Sequence, residues 1–144
     1  MSSRLTYTIN HLATALDAYA DAVLTARWGI TISQFTFLAV LEEGQPTDVT
    51  RLAECLGVSK AAVSKRVPGL EARGLVQTAA DPAHGRRVVL TLTDEGLRLA
   101  REAGDLLEAA FAQMFDGRPE LDLERTHADL LAMLDTVLAK AAER

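Results

Sequence analysis

The chain has 144 residues and a formal net charge of −5, from 15 basic and 20 acidic side chains. Its one cysteine excludes an internal disulfide framework and a four-cysteine zinc site. No stretch approaches the roughly 18 consecutive apolar residues of a membrane span, and the first residues do not resemble a signal peptide. We therefore expect a single cytoplasmic domain, residues 1–144, with no cofactor and no membrane partner.

The basic residues concentrate in the middle of the chain. Residues 50–91 hold seven basic and three acidic side chains, so this window carries +4 and the remainder of the chain −9. An acidic protein with a basic middle segment fits a local contact with a polyanion better than diffuse binding to nucleic acid.

Apolar residues at alternating steps of four and three predict a first helix over residues 4–27. The stripe consists of Leu5, Ile9, Leu12, Leu16, Tyr19 and Val23. A second helix follows, for which either Thr31 or Ser33 can be the N-cap. Thr47 is expected to start a short helix that ends at Gly57, and Ser59 to cap the next one. Two helices joined by so short a turn are typical of a helix-turn-helix.

After Gly74 the apolar period changes from helical to two, which predicts strands on both sides of the segment DPAHGRR. That segment is rich in turn formers and basic at its end, so a β-hairpin with an extended tip is expected. A helix follows Thr93, and a last helix begins near Leu121. We expect a mainly α-helical fold with a small β-hairpin wing. The winged helix-turn-helix would occupy residues 31–96, between dimerisation helices at 4–27 and 97–142.

The second helix of such a motif enters the major groove of DNA, and its N-terminal half meets base edges. Small, hydroxyl and basic side chains lie opposite the apolar side of this helix, and two arginines lie near the hairpin tip. An arginine there can enter a narrow minor groove, and Arg86, nearer the tip, is favoured over Arg87 because successive strand residues face opposite ways. The predicted DNA-binding residues are Ser59, Lys60, Ala61, Ser64, Lys65, Arg66, Arg86 and Arg87.

The phrases LAECLGVSKAAVSKRV, LEARGLV and DPAHGRRVVLTLTDEG resemble the winged helix of the multiple-antibiotic-resistance regulator (MarR) family. The flanking helices fit the layout of that family. The resemblance implies a homodimer that binds a palindromic double-stranded DNA operator, often as a repressor released by a small ligand or by oxidation. The family often has Asp at the position of His84, where it braces the wing arginine. A neutral histidine can still donate a hydrogen bond there, whereas a protonated one would repel the arginine.

Pro68 stands inside the predicted recognition helix. It lacks an amide donor and clashes with the carbonyl of Ser64, which costs about 3 kcal/mol in a helix interior. It also disfavours helical angles at Val67. We expect a kink or a break near Val67 and a short turn over residues 69–73, which would leave the base-reading residues unaffected. The alternative is that the bend changes the tilt of the helix and shifts its sequence preference.

Three further features are candidate sites for a signal. Relatives bind phenolic acids in a crevice between the dimer helices and the winged helix; candidate wall residues here are His11, Trp28, Phe35 and Phe37, although an aromatic stripe is more often core. Cys55 is interpreted as a small apolar filler, with thiol oxidation as the alternative. His11 and His127 lie on the first and last helices, but no metal-site spacing accompanies them, so no metal site is predicted.

Two other classes of function remain as rivals. The sequence has no G-x-S-x-G motif, no phosphate-binding loop and no obvious pair of catalytic carboxylates, so we do not expect an enzyme. A winged helix can also serve protein contacts. Four basic residues at the motif (Lys60, Lys65, Arg66 and Arg86) favour DNA over a protein partner.

Overall fold

A computed structural model describes residues 4–144; residues 1–3 of the expected domain lie outside the described part. The described elements are α1 (Leu5–Trp28), α2 (Ile32–Gly44), β1 (Thr47–Asp48), α3 (Val49–Leu56), α4 (Lys60–Ala72), β2 (Val76–Asp81), β3 (His84–Leu92), α5 (Asp94–Met114) and α6 (Leu123–Ala142). The mainly helical fold with a small wing is confirmed. Two compact units divide the chain, one ending at Asp105 and the other beginning at Leu106.

The corner between α1 and α2 is set by capping. Gly29 ends α1 in a left-handed conformation (φ 66°), which glycine adopts without strain. Of the two candidate caps for α2, Thr31 is the one used: its hydroxyl accepts from the Gln34 amide at 3.1 Å, and the Gln34 side chain accepts from the Thr31 amide at 2.9 Å. A carboxylate oxygen of Asp21 accepts from the Ile32 amide at 2.8 Å, which fixes the start of α2 against α1.

The core of the first unit lies beneath the helix-turn-helix. Its largest completely buried side chains are Leu24, Ile30, Phe37, Leu38, Leu41, Leu52, Val63, Leu70 and Leu90. They come from α1 to α4, from the turn between α1 and α2, and from β3, so buried side chains hold both α4 and the sheet. Burial of each such side chain contributes about 1.5–3 kcal/mol, and the position of α4 is therefore set by its inner face.

The sheet has three antiparallel strands in the order β1-β3-β2. The expectation that Thr47 starts a helix was wrong: Thr47 is buried in β1 opposite Leu90, and α3 begins at Val49 with Asp48 as its N-cap. A two-residue strand carries no periodic signal of its own, and its partner lies some 40 positions later in the chain. The Gln45 side chain extends this edge, since its oxygen accepts from the Leu92 amide at 2.8 Å.

Pro68 does not interrupt α4. Of the kink or break expected near Val67, the break was wrong, as was the turn over residues 69–73, because the helix continues to Ala72. Val67 and Leu70, on either side of the proline, are buried, while Pro68 is exposed. Burial of this last turn offsets the local cost of the proline, as tertiary packing commonly outweighs intrinsic propensity.

The second unit, residues 106–144, contains the end of α5 and all of α6. Phe111 and Phe115 make an edge-to-face contact with ring centroids 5.0 Å apart. Asp122 caps α6, accepting from the Arg125 amide at 2.9 Å. No residue of α6 is buried. Its exposed apolar side chains are Leu130, Leu131, Met133, Leu134, Val137 and Leu138.

Among the described helices, no single one is long and apolar enough to cross a membrane. The consecutive pair α1 and α2 has sufficient length and composition, but the two helices meet at an angle of 86°.

Gly96, near the start of α5, lies directly against the backbone of Leu75. A Cβ atom at position 96 would be 1.9 Å from the Leu75 carbonyl oxygen and 2.9 Å from its carbon. The Thr93 hydroxyl strengthens this junction, since it donates to the Gly74 carbonyl at 2.6 Å and accepts from the Gly96 amide at 3.0 Å. Only glycine allows α5 to approach the start of β2 this closely.

We expect Gly96→Ala to destabilise the fold by about 1–3 kcal/mol, because backbone atoms must move to accept the methyl group. Gly104→Ala is the matched control, since its Cβ would lie 3.8 Å from the nearest atom, on Phe35. That variant should keep or raise the melting temperature, because alanine is the better helix former. Thermal denaturation followed by circular dichroism measures both, and equal melting temperatures would contradict the close contact.

Candidate nucleic-acid interface

The N-terminal half of α4 presents a polar and basic face. The Ser59 hydroxyl caps the helix by accepting from the Ala62 amide at 3.1 Å, as the sequence predicts. Gly57, in a left-handed conformation (φ 66°), makes the sharp turn from α3. Val63, Val67 and Leu70 are buried on the inner side of the helix. The structure exposes together Ser59, Lys60, Ala61, Ser64 and Lys65.

Arg66, also predicted to bind DNA, is placed differently. It is half-buried and lines a crevice with Asp17 of α1, with Ser33 and Thr36 of α2, and with Leu56 and Val58. Its side chain therefore lies on the flank of α4 nearest α2, not among the exposed residues of the helix.

The wing contains an irregularity at its tip. Val88 pairs with Ala80 and His84 pairs with Asp81, although Ala80 and Asp81 are adjacent in the chain. Residues 85–87 on β3 therefore have no partner on β2, and they form a bulge. Arg86 lies in this bulge and is exposed. Among residues 4–144, no hydrogen bond or ion pair engages its guanidinium.

Arg87 is held by Asp48. Asp48 pairs with Val89 across β1 and β3, so Arg87, two residues before Val89 on β3, is its diagonal neighbour and within reach of a long side chain. The Arg87 guanidinium forms an ion pair with one carboxylate oxygen of Asp48. The other oxygen accepts from the Arg51 amide at 2.8 Å and caps α3. The two wing arginines thus differ: Arg87 is tied to α3 and Arg86 is not.

The hydrogen bond from the Arg51 amide lowers the pKa of Asp48 below its ordinary value of 3.8, and the bond and charge of Arg87 lower it further against the opposing effect of burial. Asp48 is therefore ionised at neutral pH. A depressed carboxyl pKa means that the stabilisation from the charged form is complete above pH 3.8 and is lost as the pH falls through the lower value of the folded state.

One residue that the sequence analysis counted only as a positive charge has a structural role. Arg73, just after α4, donates to the carbonyl oxygens of Trp28 and Gly29, both at 2.9 Å. It ties the end of α4 to the end of α1. No local pattern could have revealed this contact, because the partners are more than 40 residues apart.

The four candidate ligand-pocket residues do not form one pocket within a chain. Phe37 is completely buried and belongs to the core, while Phe35 is half-buried. His11 and Trp28 lie on the same unbroken helix, 17 residues apart, which is about 25 Å at 1.5 Å per residue. A small ligand cannot contact both in one subunit, and the crevice expected between the dimer helices and the winged helix stays a prediction.

The remaining candidates for a signal are on the surface. Cys55 is exposed on α3, so it does not fill the core as interpreted from the sequence. His84 is exposed at the first position of β3. In the part of the chain that the structure describes, no group of three or more His, Cys, Asp or Glu side chains is arranged to hold a metal ion.

Comparison with known proteins identifies the middle of the chain. The model of the MarR family matches residues 28–87. The uncharacterized HTH-type transcriptional regulator YvnA of Bacillus subtilis (strain 168) is 32% identical over 89 residues, which is 60% of this chain and 57% of YvnA. The HTH-type transcriptional repressor NicR of Pseudomonas putida is 34% identical over 70 residues, which is 49% of this chain and 44% of NicR. The chain thus spans about half the length of these curated relatives.

Solved structures match over nearly the whole chain. A MarR/EmrR family transcriptional regulator from Acinetobacter sp. ADP1 superposes with a TM-score of 0.79 at 24% identity and covers 96% of this chain and 95% of its own. Streptococcus pneumoniae FabT, whose structure is a complex with DNA, superposes with a TM-score of 0.80 at 17% identity and covers 94% of this chain and 96% of its own. At these identities the likeness establishes the fold.

We expect Asp48→Ala to cost about 1 kcal/mol of stability, because an alanine at the N-cap of α3 leaves an amide without its acceptor. The exposed Arg87 partner adds only a few tenths of a kcal/mol. Asp48→Asn keeps a capping oxygen and should melt close to the wild type. The difference between wild type and Asp48→Ala should shrink as the pH falls below 3.8. Melting curves at pH 7 and in acid measure this, and equal stability of all three proteins at pH 7 would refute the cap.

Proposed function

We propose that the chain is a transcriptional regulator of the MarR family, whose model matches residues 28–87, and that it binds a specific double-stranded DNA operator as a homodimer. The observation that carries the proposal is the exposed N-terminal half of α4, which combines small side chains, hydroxyls and two lysines. Such a surface can approach base edges while its lysines contact phosphates. The DNA complex of FabT, which shares this fold, supports the assignment.

The proposed base-reading residues are Ser59, Ala61 and Ser64, with Lys60 and Lys65 on phosphates. The N-terminus of α4 adds its own attraction for phosphate. Arg86, exposed in the wing bulge, is the proposed minor-groove contact. Arg66 and Arg87 have only secondary roles in the proposed DNA binding, because Arg66 is half-buried and Arg87 is paired with Asp48.

The apolar surfaces of α1 and α6 support the homodimer. On α1 the exposed large apolar side chains are Leu5, Tyr7, Leu12 and Tyr19, and on α6 no residue is buried at all. An amphipathic helix normally buries its apolar stripe, and contiguous exposed apolar surface marks an interface. A two-fold dimer would cover these stripes and place two α4 helices about 34 Å apart, one turn of DNA.

Repression released by a small phenolic or similar ligand is the proposed mode of regulation, and the cytoplasm the proposed location. The resemblance of 70 residues of this chain to the repressor NicR supports repression. Oxidation of Cys55 is the alternative signal, since its thiol is exposed on α3. An enzymatic role has no support in this site, which offers lysines and hydroxyls without a partnered base.

Selection of binding sites from a random duplex library, at two salt concentrations, tests the proposal. We expect enrichment of a palindrome whose half-site centres are about ten base pairs apart, because a two-fold dimer reads two half-sites. Only weak, salt-sensitive binding with no enriched sequence would reject sequence-specific regulation. Binding to a protein partner that does not weaken with salt would favour the protein-interaction alternative.

On the selected duplex, we expect Lys65→Ala to lower the affinity and to make the slope of log K against log salt shallower by about one, because one phosphate contact is lost. The loss should be similar for matched and mismatched sequences. Fluorescence anisotropy titrations at several salt concentrations provide the measurement.

Lys140→Ala is the matched control, since it removes the same charge from α6, where Lys140 pairs with Glu143 at 3.2 Å. Its salt slope should equal that of the wild type. If folded Lys65→Ala also keeps the wild-type slope, Lys65 does not contact phosphate.

A further inference from the structure

The bulge of the wing leaves its two arginines without support from the β-ladder. Residues 85–87 lie between the paired positions His84 and Val88 and have no partner on β2. Bulges of this kind redirect side chains, but a bulged segment needs a contact elsewhere to hold one conformation. Gly85, at its start, adds backbone freedom. Something other than the ladder must therefore set the direction of Arg86.

Asp48 supplies that contact from the opposite edge of the sheet. Both of its carboxylate oxygens are used, one by the Arg51 amide and the other by the Arg87 guanidinium. The Asp48 side chain is only 16% exposed and is immobilised by its cap, whereas the Arg87 side chain is 46% exposed. The fixed member of the pair is thus the aspartate, and the bulge is anchored to it.

The surroundings of Arg87 hold one other acidic group. Asp81 borders the same hollow as Asp48 and Arg87, but its carboxylate accepts from the Ala83 amide at 2.9 Å and forms no ion pair with Arg87. On the other side, Arg86 and Arg87 both border a hollow beside the first turn of α3, at Val49 and Thr50. If Arg87 were released, the two guanidinium groups would occupy the same region and compete for the same phosphates.

We propose that Asp48 is a positioning residue for the wing: by holding Arg87 against the N-terminus of α3, it directs Arg86 alone toward the minor groove of bound DNA. This inference rests on the DNA binding proposed above. Asp48 itself touches no DNA in this arrangement. It couples the wing to α3, which packs against α4, so that the wing and α4, the two proposed DNA-contacting elements, dock with a fixed relative placement.

The test uses the palindrome selected by the wild type, together with duplexes that differ only in the flanking base pairs under the wing. A narrow A·T-rich minor groove attracts an inserted arginine, so the wild type should prefer A·T-rich over G·C-rich flanks. The flank-preference ratio is the affinity for the duplex with A·T-rich flanks divided by the affinity for the duplex with G·C-rich flanks. Arg86→Ala gives the value of this ratio when the wing contact is absent. Asp48→Asn and Arg87→Gln remove the ion pair between Asp48 and Arg87, which we call the clamp. Arg87→Lys preserves the positive charge at position 87.

We expect Asp48→Asn and Arg87→Gln each to lower the flank-preference ratio at least about fivefold toward that of Arg86→Ala, which is the lower end of the effect of a single recognised base pair. Arg87→Lys should keep most of the wild-type ratio. The penalty for substitutions in the major-groove half-sites should be unchanged in every variant. A purely structural role would weaken both readouts together.

The salt dependence of DNA binding distinguishes a positioning role of Asp48 from a simple effect of its charge. Asp48→Asn frees Arg87 for phosphate, so its salt slope should steepen by about one, whereas Arg87→Gln should leave the slope unchanged. Asparagine retains the cap, and a wild-type melting curve for Asp48→Asn verifies that the fold is intact.

Wild-type flank ratios in both folded clamp variants would overturn the inference while leaving the proposed function in place. Failure of the wild type to select any sequence would overturn both. A lowered ratio with a wild-type major-groove penalty supports the positioning role.

Discussion

The burial of one face of α4 determines most of what this molecule presents to a partner. Val63, Val67 and Leu70 are buried on the side of α4 that packs against the rest of the first unit, where α4 contacts α3 and β2. Once these three are fixed, the rotation of the helix is fixed, and the side chains on its opposite side must face solvent. The same packing explains why Pro68 is tolerated. It lies on the exposed side, where its ring meets water, while its buried neighbours hold the turn in place.

The wing depends on a different kind of constraint. Its two strands pair regularly from Val76 to Ala80, but the ladder is interrupted where the arginines stand. Regular pairing alone would orient Arg86 and Arg87 by alternation. In the bulge, orientation comes from a charge pair with the cap of a neighbouring helix. Asp48 therefore ends β1 with its backbone, caps α3 with one carboxylate oxygen and pairs with Arg87 through the other oxygen.

Short-range features of this fold could be predicted from the sequence, and contacts between distant segments could not. The cap Ser59 and the turn at Gly57 were predicted, and Thr31 was one of two candidate caps, because each requires only residues within three or four positions. The strand at Thr47–Asp48 and the contacts of Arg73 were missed because their partners are about 40 residues away. The break expected at Pro68 was wrong because local cost was weighed without the packing that offsets it. For the site, the exposed face of α4 followed from helical periodicity and a difference between Arg86 and Arg87 was expected from strand alternation, whereas the pairing of Arg87 with Asp48 required the register of the sheet.

The structure also changes the electrostatic argument for DNA binding. Seven basic residues lie in the window 50–91, but Arg73 bonds to backbone carbonyls, Arg87 is paired and Arg66 is half-buried. Four exposed cations without an ion pair in the described structure remain there: Arg51, Lys60, Lys65 and Arg86. At a slope of roughly 0.9 per neutralised phosphate, at most four contacts per subunit give modest electrostatic affinity, and the surrounding acidic surface opposes it. Two subunits on one duplex double this number and add a second set of base contacts. The proposed dimer would therefore increase the binding energy as well as cover the apolar faces of α1 and α6.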